Sequence, residues 1–228
     1  MVTGELRSIN DQVNELRDSI TFYNQKYEEI KATLEQKTAV INDLQNDNFK
    51  LQSAMLDLST RLNQVEQSMR ESNIEINGIP ERKTENLPQI LEKLVKVVGA
   101  PINVDDIQRV TRVARVNRDN VRPRTIIAKL RSSWQRDEVL AAVVQYNKKN
   151  SKDKLNSFHV GFEDARVPIY VSEHLSPENK SLHAAARIKA KEMKYKFTWI
   201  RNGRIFTRKD EFSEFILIRN KDSLKFIK

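Results

Sequence analysis

Residues 41–69 read INDLQNDNFKLQSAMLDLSTRLNQVEQSM. In this stretch Ile41, Leu44, Asn48, Leu51, Met55, Leu58, Leu62, Val65 and Met69 recur at alternating spacings of three and four. Extended backwards, the same period puts Leu6, Val13, Ile20, Tyr27 and Leu34 at the a positions and Ile9, Leu16, Tyr23 and Ile30 at the d positions. Only Lys37, Asn48 and Ser72 break the apolar or aromatic character of this seam. A strict 3.5-residue apolar period specifies a left-handed coiled coil. Over residues 1–72 it predicts a helical rod of roughly 100 Å. A single helix would leave such a seam in water, so the expected partner is another copy of the chain. β-branched Val13, Ile20 and Ile41 at a, Leu at several d positions and the polar layer at Asn48 favour a parallel dimer.

Charge divides with the pattern. Residues 1–72 hold eight Lys or Arg against twelve Asp or Glu, whereas residues 73–228 hold 32 against 19, a net +13. The basic charge therefore belongs to the part that folds globularly, which points to a polyanionic partner. There is no cysteine, and His159, His174 and His183 lack metal-ligand spacing, so they read as ordinary surface or packing residues. No secretory signal and no apolar stretch of about 18 residues occurs. The expectation is an intracellular protein, cytoplasmic with the nucleus also open to it, that does not bind membranes.

Past the rod, residues 72–80 alternate with period two and end at Pro80, which reads as a strand. Leu87, Ile90, Leu91, Leu94, Val95 and Val98 form a helical stripe, with Asn86 as N-cap and Gly99 and Pro101 as its stop. Strands follow around Ile107–Val113 and Thr125–Leu130. Ser132 and Gln135 read as a capping box opening a helix through Val144, and Pro168–Val171 as a further strand. The order β-α-β-β-α-β is the split βαβ plan. The long connection from Tyr146 to Pro168 leaves room for an extra strand at Phe158–Phe162.

Ser176-Pro177-Glu178 opens another helix, running to about Lys194. Asn202-Gly203 between alternating segments is a strong hairpin signal, and Ile216–Ile218 and Leu224–Ile227 supply a last strand and turn. The fold class is thus α+β: a coiled coil over 1–72, a β-α-β-β-α-β domain over 73–175 and a small basic α+β domain over 176–228.

No nucleophile elbow, Gly-rich phosphate loop or metal-ligand spacing appears, and the neighbouring pairs Asp105-Asp106 and Asp210-Glu211 read as loop or cap residues. The expectation is a protein that is not an enzyme and takes neither a cofactor nor a small-molecule substrate. Arg109, Arg112, Arg115, Arg118, Arg122, Arg124, Lys129 and Arg131 fall within 23 residues that contain one acid, Asp119. Such a cluster is the electrostatic footprint expected for a phosphate backbone. In the hairpin, a two-residue turn sets Arg201 opposite Arg204, Trp199 opposite Phe206 and Phe197 opposite Arg208, all on one face. Arginine beside aromatic rings is how sequence-tolerant single-strand binders stack bases. The alternative is that Trp199 and Phe206 pack under the preceding helix as core.

The coiled coil, the strand Asn73–Pro80, the Arg-rich second and third strands and the run Ile169–Ser176 resemble the first-open-reading-frame protein of LINE-type retrotransposons. The run Trp199–Glu211 more closely resembles the baculovirus few-polyhedra protein and its insect relatives. The resemblance implies a coiled coil, a noncanonical RNA-recognition-motif (RRM) domain and a small C-terminal domain. Together these would bind single-stranded RNA or DNA, RNA favoured, as a chaperone or packaging factor. It also implies backbone contacts from arginines of the second and third strands and from the C-terminal domain, here Arg187, Arg201, Arg204, Arg208 and Lys209 beside Trp199. The retrotransposon likeness argues for a trimer rather than a dimer. Glu75 stands where an ordinary RRM carries a first-strand aromatic, and the third strand has none, so backbone electrostatics are expected to dominate over stacking on that sheet. The rival reading is a protein–protein scaffold with basic globular heads.

Overall fold

The heptad folds as one unbroken helix, α1 (Val2–Ser68), of 67 residues. The computed structural model describes residues 2–114, 121–163 and 166–228, the side chains at 2, 3, 5, 7 and 8 excepted. The described apolar and aromatic residues of its seam are between 52 and 74% exposed in the single chain. Polar Asn48 is held within the helix, its Oδ1 accepting from Gln52 Nε2 at 2.7 Å. The helix stops four residues before the expected end. Tight turns, with Arg70 N–H donating to Gln67 O and Asn73 N–H to Arg70 O, close it. Ser72 is drawn into the adjoining sheet, where its carbonyl accepts from Leu130 N–H.

Two compact units result, Met1–Thr60 and Arg61–Lys228. The last turns of α1 therefore belong with the globular residues, and both predicted globular domains lie in that one unit, each around its own apolar cluster. No helix among the described residues is long and apolar enough to cross a membrane.

The first part of the larger unit follows the predicted order. Strand β1 (Asn73–Asn77) leads to α2 (Leu87–Val98), which is capped by Asn86 accepting from Gln89 N–H and ended by Gly99 at φ 71°. Then come β2 (Ile107–Arg112), β3 (Ile126–Leu130), α3 (Ser133–Lys149) and β4 (Tyr170–Glu173). The strands form an antiparallel sheet in the order β2-β3-β1-β4. Ile74, Ile76, Ile126, Ala128 and Leu130 turn one face into a core shared with α2 and α3.

Two local expectations change. Phe158–Phe162 is not a strand: Ser157–Val160 is a 3₁₀ turn, because Asn156 caps it and Gly161 at φ 95° closes it, with Val160 and Phe162 in the core. Ser132 accepts from Gln135 N–H as expected, but the Gln135 side chain turns to Asp106, so the reciprocal half of the capping box does not form.

The C-terminal part opens with α4 (Pro177–Glu192), capped by Ser176 Oγ. Strands β5 (Phe197–Arg201), β6 (Arg204–Arg208) and β7 (Ile216–Ile218) form an antiparallel sheet, and a 3₁₀ segment, Lys221–Phe226, follows. Ile205 and Ile218 pack against Leu182 and Ala186 of α4, with Ile227 completing the cluster.

Candidate nucleic-acid interface

The pleat of the four-stranded sheet fixes which side chains can meet a ligand. With Ile74, Ile76, Ala128 and Ile126 turned inward, the opposite face carries the rows Asn73–Lys129–Arg109, Ser172–Glu75–Ile127–Thr111 and Tyr170–Asn77. Arg109 and Lys129 are exposed neighbours there, without an ion-pair partner among the described residues. Glu75 is buried on this face beneath Lys180 of α4, whose Nζ lies 2.7 Å from Oε1. Tyr170 stands 67% exposed in the edge strand, an aromatic on the free face of a sheet whose β1 and β3 carry none.

The remaining basic residues of the run separate into different roles. Arg112 lies on the inward side, in register with Ile126, with its side chain only 4% exposed. Its guanidinium donates twice to Glu85, at 2.6 and 2.7 Å, and also to the carbonyls of Ile79, Pro80 and Arg124. With its donors so committed it fixes the β1–α2 connection to the end of β3; the expectation of a phosphate contact at Arg112 is corrected. Arg124 is half-buried and its Nε and backbone N–H both donate to Glu81 at 2.8 Å. Arg131 is exposed, with Asp106 at 3.8 Å, and Arg122 is exposed as well. The neighbouring backbone N–H of Asn103 holds the Asp106 carboxyl below its ordinary range, with Gln135 and Arg131 adding to the effect. Arg115 and Arg118 lie outside the described residues.

The hairpin adopts the predicted register: Arg201 pairs with Arg204, Trp199 with Phe206 and Phe197 with Arg208. Asn202 at φ 52° and Gly203 at φ 69° give both turn residues the positive φ of a type I′ hairpin. Thr207 and Ile205 are buried on the α4 side, so the alternation places Trp199 and Phe206 on the other. Their rings stack at 5.6 Å and 14°, and Phe215 meets Phe206 edge-on at 5.5 Å. Trp199 is thus not in the core cluster beneath α4. Arg208 lies over the Phe197 ring at 5.0 Å, and its buried Nε–H has no hydrogen-bond partner. Arg201, Arg204, Lys209 and, on α4, Arg187 are exposed.

A polar junction joins this hairpin to the rest of the larger unit, and no sequence motif announced it. The Glu173 carboxylate accepts from Asn202 N–H at 3.0 Å and Gly203 N–H at 2.7 Å. Arg136, 2% exposed, donates to Asn202 Oδ1, to Asp137 and to Glu71 O, with Glu173 at 3.9 Å. Gln67 Oε1 accepts from Ser176 N–H and Asn179 Nδ2, and Asn63 Nδ2 donates to Asn179 Oδ1. A Cβ on Gly203 would stand 2.5 Å from Gln67 Cγ, so the turn needs glycine for room as well as for its φ. His174 sits beside it, its Nδ1 3.2 Å from Asn73 Nδ2. Burial pushes the His174 imidazole below its ordinary value; Glu75 opposes this, and Arg70 and Lys180 reinforce it.

Residues 176–228 match the family model of the Baculovirus FP protein domain 2. No curated protein matches the chain. The matched segment is about a quarter of the chain, and it begins at the cap of α4 and includes the aromatic hairpin. The match supports the baculovirus side of the resemblance, while the retrotransposon side stands on the quoted motifs alone. Of the nucleic-acid residues expected in this segment, Trp199, Arg201, Arg204 and Arg208 share the hairpin face; Arg187 lies on α4, and Lys209 follows β6.

Among the described residues no group of three or more His, Asp or Glu side chains is placed to hold a metal ion. Asp210 closes a turn by accepting from the Ser213 hydroxyl and the N–H groups of Phe212 and Ser213, which hold its carboxyl below the usual range.

Proposed function

We propose that the chain is an oligomeric, sequence-tolerant binder of single-stranded nucleic acid, RNA favoured over DNA, acting as a chaperone or packaging factor of a baculovirus- or retrotransposon-type element. The observation that carries the reading is the pair Arg201 and Arg204. They stand directly opposite one another on adjacent strands with no counter-ion among the described residues, at the end of an aromatic face. Like charges so placed are destabilising unless an anion lies between them. The strand order β2-β3-β1-β4 is compatible with an RRM-like sheet, and Arg109 and Lys129 on its free face supply a second cationic row for the same backbone.

The oligomer, a parallel dimer in this reading, is supported by the division of labour at the end of α1. Asn63 and Gln67, at b and f heptad positions, bind the chain's own Ser176 and Asn179, while Leu62, Val65 and Met69 at a and d remain 57 to 71% exposed. Several heads on one rod would raise affinity for a long strand through effective concentration. The test is a titration of labelled single-stranded RNA, single-stranded DNA and duplex with the full chain and with an Ile20→Asp/Ile41→Asp seam variant. Preference for the single strands, with loss of affinity on the long strand in the seam variant, is the expected outcome. Salt-insensitive association with an apolar protein and no strand binding would favour a scaffold instead.

A further inference from the structure

We propose that the face of the C-terminal sheet bearing Trp199, Phe206 and Phe215 is a nucleobase site: unstacked bases lie against these rings while Arg201 and Arg204 hold the adjoining phosphates. This deepens the reading above, which backbone contacts alone would satisfy, and rests on it.

Four observations converge on that face. Helix α4 covers the opposite side of the sheet, at Ile205 and Ile218, so the rings are not needed to build the core. Phe215 is 62% exposed and Trp199 and Phe206 are half-buried, and together they form a continuous aromatic cluster. A groove of about 450 Å³ runs along it between Phe197, Trp199, Arg208 and Phe215, within the size range of small planar ligands. Finally, the Arg208 Nε–H is shut from water without an acceptor, while its guanidinium lies over Phe197. A buried donor left unpaired is unfavourable, so the Arg208 guanidinium on the groove wall still has hydrogen-bonding capacity that the protein itself does not use.

Charge chooses the occupant. Lys196, on the groove wall, is neutralised by Glu211 at 3.1 Å. Arg201 and Arg204, at the turn end of the same face, have no such partner among the described residues. An apolar peptide would satisfy the rings and leave the cations as they are, whereas a single strand satisfies both, because every base offers a π-face and every linkage a phosphate.

The proposal separates from simple backbone binding in one comparison on the unaltered full chain. Two labelled 30-nucleotide single strands are titrated, one of uridines and one in which the central bases are replaced by abasic residues, so that the phosphates are identical. Base stacking makes the abasic strand bind about 5- to 150-fold more weakly, from about 1–3 kcal/mol per base. In Trp199→Leu that ratio shrinks towards one. Equal binding of the two strands, steeply salt-dependent, overturns the base site, leaves the face to a protein partner, and leaves backbone binding intact. A ratio that persists in a Trp199→Leu protein also overturns it, since the bases then stack elsewhere. Failure of both strands to bind overturns the functional reading itself along with the site. The strand comparison needs no variant, so unfolding of Trp199→Leu would not rescue the proposal.

Discussion

Arg136→Ala should detach the hairpin from the rest of the larger unit at a cost that its surroundings fix. The guanidinium is 2% exposed and donates to Glu71 O, Asp137 and Asn202 Oδ1, while Glu173, 7% exposed at its side chain, keeps it as the nearest opposite charge at 3.9 Å. Truncation removes these charge-assisted bonds and leaves the Glu173 carboxylate buried, with only the N–H groups of Asn202 and Gly203 for partners. Removing one member of a buried pair typically destabilises by about 3–5 kcal/mol. Set against a total stability of about 5–15 kcal/mol, that is a large share. Guanidinium denaturation followed by tryptophan emission, at fixed protein concentration because association contributes to stability, measures the loss. Amide exchange at Asn202 and Gly203 should accelerate in parallel. Arg136→Met combined with Glu173→Gln removes both charges and should cost clearly less than the sum of the two single changes. A loss below about 1 kcal/mol for Arg136→Ala, or strict additivity in the double variant, refutes this account of the junction.

Four further outcomes are expected. Arg112→Ala should lower stability by about 3–5 kcal/mol, since it orphans Glu85, without changing the salt dependence of binding. Arg109→Ala and Lys129→Ala should each make the salt slope on a single strand shallower by about 0.7 at unchanged stability, and the reverse assignment contradicts the geometry. His174 is held below its unfolded value, so the native chain binds fewer protons there, and stability is fully present above about pH 6.5 and declines as pH falls through the window beneath it. His183, depressed by burial and then by Arg187, acts in the same direction. Denaturation midpoints at pH 7.5 and 5.5 should differ in that sense, less so in His174→Gln, and equal midpoints count against the assignment. Asn48→Leu should raise the melting temperature of the rod while broadening its stoichiometry in sedimentation equilibrium, because a polar a layer trades stability for register. A lower melting point with a single sharp oligomer rules that out.

The parts of the fold that could be read from sequence are those governed by near neighbours. The long N-terminal helix, the caps Asn86, Ser132 and Ser176 and the Asn202-Gly203 turn each depend on residues within a turn or two; the caps and the turn form where expected, and the helix ends four residues short of the seam. Phe158–Phe162 alternates like a strand, but the Asn156 cap and Gly161 bend it into a 3₁₀ turn, a local signal outweighed by the periodicity. Arg112 was illegible for a different reason. Nothing in a run of arginines distinguishes the buried one, and Glu85, which makes it structural, lies 27 residues away. The junction of Asn63, Gln67, Arg136 and Glu173 joins residues up to 116 positions apart along the chain, through polar side chains that carry no periodic signature.

The salt dependence of single-strand affinity tests the central claim most directly. Arg109, Lys129, Arg201 and Arg204 are four exposed cations without a counter-ion among the described residues. At about −0.7 in log affinity per log salt for each phosphate neutralised on a single strand, they alone give a slope near −3 for one head. Fluorescence anisotropy of a labelled RNA strand with the 228-residue chain, across a series of sodium chloride concentrations, should return a straight line at least that steep. A flat line, or no binding at the lowest salt, contradicts it.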